Sequence, residues 1–210
     1  TRLLTVTGVQ TCALPIYNSS GTIGATGASY LSAYVSNLRL VKGTGVYTAN
    51  FTPSTTPLTA VANTSLLTCQ SNVPVTSSNF IDNSTNNFLI TRNGDTNAGT
   101  LSPYGESWSN YFSGTTDNLR LSSSAMALTS NNFTVEMWVY LNALPTSDNW
   151  PTSWSSCGVL VGTGTANGGD GFNCMIGSTQ MFVHSNDVKY GTATHGMSIR
   201  SEEHTSELQS

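Results

Sequence analysis

The residue best placed for chemistry is Glu136, in the stretch TVEMWVY. Hydrolysis of a glycosidic bond needs two carboxyl groups that flank the bond, one as acid and the other as nucleophile or base. No second Asp or Glu lies within ten residues of Glu136 on either side. The spacing predicts no catalytic pair, and Glu136 is interpreted as a polar residue on the concave face or at the edge of the sheet.

Aspartates in turn-rich stretches are the candidates for a calcium site, because Ca²⁺ prefers hard oxygen ligands. Asp117 follows SGTT and Asp170 lies in the Gly-rich GGDG, and these two are the predicted calcium ligands. Asp82 has a suitable residue type, but none of the three has EF-hand spacing. The alternative is that all three are turn residues whose carboxylates bind nearby backbone groups.

Aromatic side chains that can stack on the apolar face of a sugar form the candidate ligand site. Trp138 and Tyr140 are predicted on the strand face opposite the apolar side chains, and Trp150 and Trp154 lie in the loop-like DNWPTSWSS. These four are the predicted ligand-binding residues. The alternative is partial burial under long loops or, for Trp138, under a second layer.

The cysteines give no metal site. Of the four cysteines, Cys12 lies in the N-terminal segment that is set aside below as adapter. The other three, Cys69, Cys157 and Cys174, are an odd number without a C-x-x-C pair, which argues against zinc. Cys157 and Cys174 either pair across a hairpin or remain buried thiols. The histidines have no Ser or Asp partner pattern, and they are interpreted as ordinary strand or surface residues.

Short strands must position these residues. VSNLRLV alternates with period two, and NNFTVEMWVYLNALP places five apolar side chains on one face. NYFSGTTDNLRLSS predicts a hairpin over SGTTD, with Leu119 and Leu121 facing inward. Many short strands with turn signals between them, and no convincing helix, predict an all-β antiparallel sandwich.

Composition excludes two classes of partner. Only 9% of the residues are charged and the formal net charge is −4, so there is no basic patch to release counterions from nucleic acid. The apolar runs are far shorter than a membrane span, so membrane insertion is not expected. Ser, Thr and Asn supply the polarity, which is typical of extracellular β domains.

The two ends differ from the rest of the chain. Codons that encode VTGVQTCALPI, extended by one base and read on the opposite strand, encode RSEEHTSELQS, the sequence of residues 200–210. That DNA resembles a sequencing-library adapter. Residues 1–16 and 200–210 are therefore predicted to be translated adapter, not native protein, and are excluded from functional reasoning.

The middle of the chain resembles a known family. YFSGTTDNLRLSSSAMALTSNN followed by FTVEMWVYL is similar to the F-x-G-x-x-D-x-L and F-T-x-E-x-W-V pattern of laminin-G-like domains, in the concanavalin A-like lectin/glucanase superfamily. The family's usual FDG is FSG here. The resemblance implies a jelly-roll β-sandwich, truncated or permuted.

The order of the matching segments implies tandem repeats. Residues 17–62 resemble the C-terminal strands of one repeat plus a linker, and residues 63–199 resemble the N-terminal part of a second repeat. Each part lacks what the other contains. We therefore hypothesise that strands from 33–52 fill the gaps of 63–199 and complete one permuted jelly roll.

The resemblance implies a function as well. We expect a non-catalytic binding module in a multi-repeat surface or virion protein, such as a phage tail fibre. Its partners would be a glycan or a cell-surface protein and the neighbouring repeats, with calcium as an optional cofactor. The alternatives are a purely structural spacer, or a glycoside hydrolase fragment whose E-x-D-x-x-E strand lies elsewhere.

Overall fold

Strands are the main regular structure in the part of the chain that the structure describes. A computed structural model describes residues 2–8, 20–47, 49, 51–70, 80–99, 101–105, 108–122, 126, 128, 132–148, 156–163, 171–185 and 188–194, with only the backbone described at 2–8, 184–185 and 188–194. The strands are β1 (Arg2–Gly8), β2 (Gly21–Ile23), β3 (Ala25–Thr26), β4 (Ser29–Tyr30), β5 (Ser32–Lys42), β6 (Thr64–Thr68), β7 (Ile90–Asn93), β8 (Asn97–Gly99), β9 (Ser109–Ser113), β10 (Asn118–Leu121), β11 (Phe133–Leu141), β12 (Gly158–Gly162), β13 (Phe172–Ile176), β14 (Gln180–Ser185) and β15 (Val188–Thr194).

These strands form two antiparallel sheets. The front sheet has the order β1–β11–β5–β9–β8, with β6 also paired to β5, and the back sheet has the order β15–β14–β13–β12–β2–β10–β7. β3 and β4 form a separate two-stranded ribbon. The prediction of an all-β, antiparallel fold of sandwich type is confirmed.

Two strands from the first part of the chain lie inside the sheets, β5 in the front sheet and β2 in the back sheet. β5 pairs with β11 along one edge, and along its other edge with β9 and then with β6. β2 lies between β10 and β12 in the back sheet. β5 pairs with strands from residues 63–199 along both edges, whereas the described residues of 43–52 form no strand. The permuted jelly roll itself stays a prediction.

A bulge in β5 decides which of its side chains reach the core. Asn37 has a φ of 53°, and the pairing of β5 with β11 shifts register between Glu136 and Trp138. Asn tolerates this left-handed conformation better than most residues. Because the extra residue breaks the alternation, Val35 and Leu38 both face inward.

The hydrophobic core is filled from both sheets. Its largest fully buried side chains include Phe112, Phe133, Ile23, Leu31, Leu38, Leu40, Leu66, Leu119, Met126, Met137 and Leu160. Each such side chain contributes about 1.5–3 kcal/mol when removed from water. A smaller buried cluster outside this core consists of Cys157, Val159, Met175 and Phe182.

The predicted hairpin over SGTTD is wrong. β9 belongs to the front sheet and β10 to the back sheet, so the turn between them is a corner that crosses from one sheet to the other. Gly114 has a φ of 86° in this corner, a conformation that favours glycine. Leu119 and Leu121 are buried, as predicted.

The cysteines are buried thiols, and the alternative of a Cys157–Cys174 disulfide is wrong for the described chain. Burial raises the pKa of Cys69 and of Cys174 to about 12. Because the thiolate is the reactive form, these two side chains are inert at neutral pH.

Candidate functional site

Three tyrosines stand side by side on the outer face of the front sheet, the face turned away from the core. Tyr140 of β11 is paired with Tyr34 of β5, and Tyr34 is paired with Tyr111 of β9. The same line ends at Asn97 of β8. We call the three residues Tyr140, Tyr34 and Tyr111 the tyrosine row; it runs across the strands.

The rings of the tyrosine row touch one another and remain partly open to solvent. The ring centroids of Tyr34 and Tyr111 are 5.0 Å apart, and those of Tyr34 and Tyr140 are 6.3 Å apart with the rings edge to face. Tyr140 is 38% exposed, and the other two are half-buried. Within the described residues none of the three hydroxyls has a hydrogen-bond partner, so the row offers aromatic faces together with polar tips.

A glycine allows Tyr34 to lie across the neighbouring strands. A Cβ on Gly99 would be 2.5 Å from Cδ1 of Tyr34 and 2.6 Å from Oγ of Ser109. The ring therefore reaches over β9 to β8, where only the absence of a side chain leaves space. Oγ of Ser109 is buried beside this ring and has no hydrogen-bond partner in the described structure.

Trp138 and Tyr104 border the tyrosine row on one side, and we call this pair the Trp138–Tyr104 wall. Nε1 of Trp138 donates a hydrogen bond to the hydroxyl of Tyr104, and the two rings are edge to face with centroids 6.1 Å apart. Oγ of Ser36 donates to the backbone carbonyl of Trp108. These two contacts hold the segment that contains Tyr104 against the outer face.

Small polar residues border the tyrosine row on its other side. Ser32 is paired with Ser113 across β5 and β9, and the backbone amide of Asn142 donates to the carbonyl of Ser32 at 3.0 Å. Ser32 and Ser113 are half-buried and Asn142 is exposed. We call Asn142, Ser32 and Ser113 the polar rim.

A buried ion pair lies farther along the same outer face. Nε of Arg39 donates to Oε1 of Glu136 at 2.5 Å, and the two side chains are 6% and 1% exposed. The hydroxyl of Tyr47 donates to Oε2 of Glu136 at 2.6 Å, and Nη1 of Arg39 donates to the carbonyl of Thr59 at 2.7 Å. Glu136 is therefore inside a closed polar cluster on β11, which lies between β1 and β5, so its interpretation as an edge residue is wrong. A position on the concave face stays a prediction.

The loop 43–63 covers this ion pair. Its residue Val46 donates a backbone hydrogen bond to Oγ1 of Thr134, and Tyr47 stacks on Phe51 with centroids 3.9 Å apart. Burial, followed by the hydrogen bond and the charge of Glu136, raises the pKa of Tyr47 to about 12. The phenol therefore stays protonated and keeps donating to the carboxylate over the whole neutral range.

The carboxylate of Asp117 binds backbone amides in the corner between the sheets. Its Oδ1 accepts from the backbone amide of Asp95 at 2.7 Å, and its Oδ2 accepts from the amide of Ser113 at 2.9 Å. A Cβ on Gly94 would lie 2.3 Å from Oδ1, so the turn fits tightly around the carboxylate. These contacts are of the turn type weighed as the alternative, and calcium at Asp117 stays a prediction.

Asp82 is also engaged by backbone groups. Its carboxylate accepts from the amides of Leu67, Ser84 and Phe88 and from Oγ of Ser84, at 2.8–3.0 Å. Within the described residues no group of three or more His, Cys, Asp or Glu side chains could hold a metal ion. The other predicted calcium ligand, Asp170, lies outside the described residues.

Trp150 and Trp154 also lie outside the described residues, but the base of their loop is described. The carboxylate of Asp148 accepts hydrogen bonds from the amides of Thr179 and Gln180 and from the hydroxyls of Ser178 and Thr179, at 2.8–3.1 Å. Burial alone would raise the pKa of Asp148, but these hydrogen bonds lower it to about 2. The loop is therefore fastened to the turn before β14.

The structure brings together two of the four predicted ligand residues. Tyr140 belongs to the tyrosine row and Trp138 to the wall beside it. The sequence analysis missed Tyr34, Tyr111 and Tyr104. Tyr34 could have been found as an outward-facing residue of β5, but its pairing with Tyr111 is a long-range contact that no local pattern signals.

Comparison of the chain with protein-family models, with curated proteins and with solved structures gave no match. Among the described residues, no helix has the length and apolar character needed to cross a membrane.

Proposed function

We propose that the chain is a non-catalytic binding module that holds a glycan on the tyrosine row. The observation that carries the proposal is the register of Tyr140, Tyr34 and Tyr111 on three adjacent strands. Sugar rings present an apolar C–H face that stacks on aromatic rings, while their hydroxyl groups seek hydrogen bonds at the ring edge. The row offers aromatic faces, and Ser and Asn side chains surround it.

The burial of Glu136 and its hydrogen bonds support a non-catalytic role. A general acid or nucleophile must reach its substrate. Glu136 is 1% exposed and both of its oxygens accept hydrogen bonds, from Arg39 and from Tyr47. A hydrolase would need a different pair of carboxylates.

We further infer the setting from the resemblance. The fold would be a concanavalin A-like jelly roll of the laminin-G-like class, completed by β5, in a multi-repeat protein on a cell or virion surface. The interior position of β5 supports a sandwich built from parts of two repeats. We also propose that residues 1–16 and 200–210 are translated from sequencing-library adapter DNA and are not native protein.

The proposal is tested by measuring the retention of the chain on a panel of immobilised polysaccharides and its Kd for the polysaccharide that retains it best. Tyr34→Ala and Tyr140→Ala should each weaken binding by about tenfold, because each removes a stacking face. Leu89→Ala is the matched control, because it removes an apolar side chain that is 82% exposed and lies outside the row. Absence of binding to every polysaccharide would favour the spacer alternative.

A further inference from the structure

We propose that the tyrosine row takes a neutral, linear polysaccharide that lies across the strands, and that the polar rim binds its hydroxyl groups. This inference rests on the proposed function and specifies its ligand. It assigns Ser32, Ser113 and Asn142 as residues that form hydrogen bonds with the hydroxyl groups along one edge of the sugar chain.

The direction of the ligand follows from the register of the row. Neighbouring strands are about 4.8 Å apart, and the ring centroids of the row are 5.0 and 6.3 Å apart. A ligand along the row therefore contacts several rings in succession, with the Tyr34 ring reaching over β9 and lying edge to face with the Tyr140 ring. A ligand along β5 would leave the row after Tyr34 and meet the Trp138–Tyr104 wall or the polar rim instead.

The spacing favours a sugar chain over a proline-rich peptide. A polyproline II helix repeats its contacts every three residues, which is about 9 Å. That repeat is out of step with centroids 5.0 and 6.3 Å apart, so a peptide could use only part of the row. A chain of sugar rings offers a stacking face at each residue.

The two borders of the row have different chemistry. The polar rim contains the hydroxyls of Ser32 and Ser113 and the side-chain amide of Asn142, which suit the hydroxyl-rich edge of a sugar. The Ser113 hydroxyl also hydrogen-bonds Oγ1 of Thr115 at 2.9 Å and keeps further capacity for a ligand. The opposite border is the Trp138–Tyr104 wall, whose contact is a hydrogen bond between the two side chains. Substituents on the wall side would collide with it, so the ligand is unbranched on that side.

The charges near the row favour a neutral ligand. Arg39 is buried in its ion pair with Glu136. At the β8 end, Arg92 donates to the carbonyl of Gly94 at 2.9 Å and lies 3.4 Å from the carboxylate of Asp95, which is 96% exposed. Nη1 of Arg92 also lies 3.4 Å from Oδ1 of Asn97, where the row ends, but the charge of Arg92 is already balanced by Asp95, so an acidic sugar would gain no unpaired cation from this residue.

The first experiment measures Kd of the full chain for linear neutral oligosaccharides of one to six units, built from glucose, mannose, galactose or xylose. Affinity should rise about two- to tenfold with each unit up to three and then level off, because three rings are in the row. Uronic acid oligomers of the same lengths should bind more weakly than the neutral ones. A decaproline peptide serves as the peptide arm and should not bind.

The second experiment tests the polar rim. Ser32→Ala and Asn142→Ala should each weaken binding of the best neutral trimer about two- to tenfold, the effect of one lost hydrogen bond, and should leave binding of the monomer less affected. Thr55→Ala, at an exposed position of the loop 43–63, is the matched control and should bind as the unaltered chain does. Thermal unfolding of each variant shows that the fold is retained.

The outcomes separate the inference from the proposed function. Failure of the unaltered chain to bind any oligosaccharide would overturn the proposed function and this inference with it. Binding that depends on Tyr34 but is independent of length, prefers uronic acids or ignores the rim substitutions would overturn the inference alone. Binding of decaproline that is lost in Tyr34→Ala would overturn both in favour of peptide recognition.

Discussion

The outer face of the front sheet has two ends that the same strands build in opposite ways. At one end β11 and β5 contribute Tyr140 and Tyr34, whose rings are open to solvent. At the other end they contribute Glu136 and Arg39, which are 1% and 6% exposed under the loop 43–63. One end leaves aromatic rings partly exposed, and the other is covered by the loop 43–63.

The difference shows that residue type alone does not mark a functional site. A carboxylate beside an arginine and a tyrosine has the chemistry of an active site, but here its hydrogen-bonding capacity is used internally. The aromatic end has less reactive groups, and their hydroxyls remain available. Covering by a loop, and not position in the strand, separates the two roles.

The largest effect on stability is expected from Glu136→Ala, at the end that the loop covers. Removal of the carboxylate leaves Arg39 buried without its counter-charge, and we expect a loss of about 3–5 kcal/mol in the free energy of unfolding. Urea denaturation measures the loss. Sugar binding by the fraction that remains folded should change less than twofold, and a larger change would mean that the two ends are coupled.

A smaller effect is expected from Gly99→Ala, which acts on the aromatic end. The new methyl group would occupy the space of the Tyr34 ring, so we expect about 2 kcal/mol of destabilisation and a displaced ring. The double variant with Tyr34→Ala is the control, because it removes the clash with the ring. Oγ of Ser109 would still be 2.6 Å from the new methyl group, so we expect only part of the lost stability to return. If the two substitutions were additive in unfolding free energy, Tyr34 would not lie over Gly99.

The smallest effect is expected from Tyr47→Phe, which removes one donor from the sealed end. We expect the free energy of unfolding to fall by about 1 kcal/mol at neutral pH, because one hydrogen bond is lost. The loss is small because the hydroxyl is partly exposed. The pKa of Tyr47 is about 12, above its ordinary value of 10.0, so its stabilisation is complete below pH 10 and is lost as the pH rises through 12. The stability difference between the two proteins should therefore shrink over this range, and a constant difference would contradict the assignment.

Local pattern predicted the parts of this face that depend on one strand. The alternation of β11 placed Trp138 and Tyr140 opposite the core, and the alternation of β5 gave Leu38 and Leu40 their inward positions. Such patterns reflect the two-residue period of a strand, which needs no knowledge of its neighbours. The all-β class followed from the same signal.

Contacts between distant segments were beyond the sequence. The ion pair joins Arg39 to Glu136, and the row joins Tyr34 to Tyr111, so both require knowledge of strand order. The SGTTD corner was misread because the same turn residues serve hairpins and crossings between sheets. β13 gave no alternation because all of its side chains are buried.

The central position of β5 has a consequence for the way the chain folds. β5 is made before its partner β11, which follows about a hundred residues later. Folds dominated by such non-local pairings fold slowly, because a long loop must close before the contacts reward it. A nascent chain therefore holds an apolar strand with unsatisfied backbone groups until β11 emerges. In that interval the chain aggregates if this strand pairs with strands of other chains.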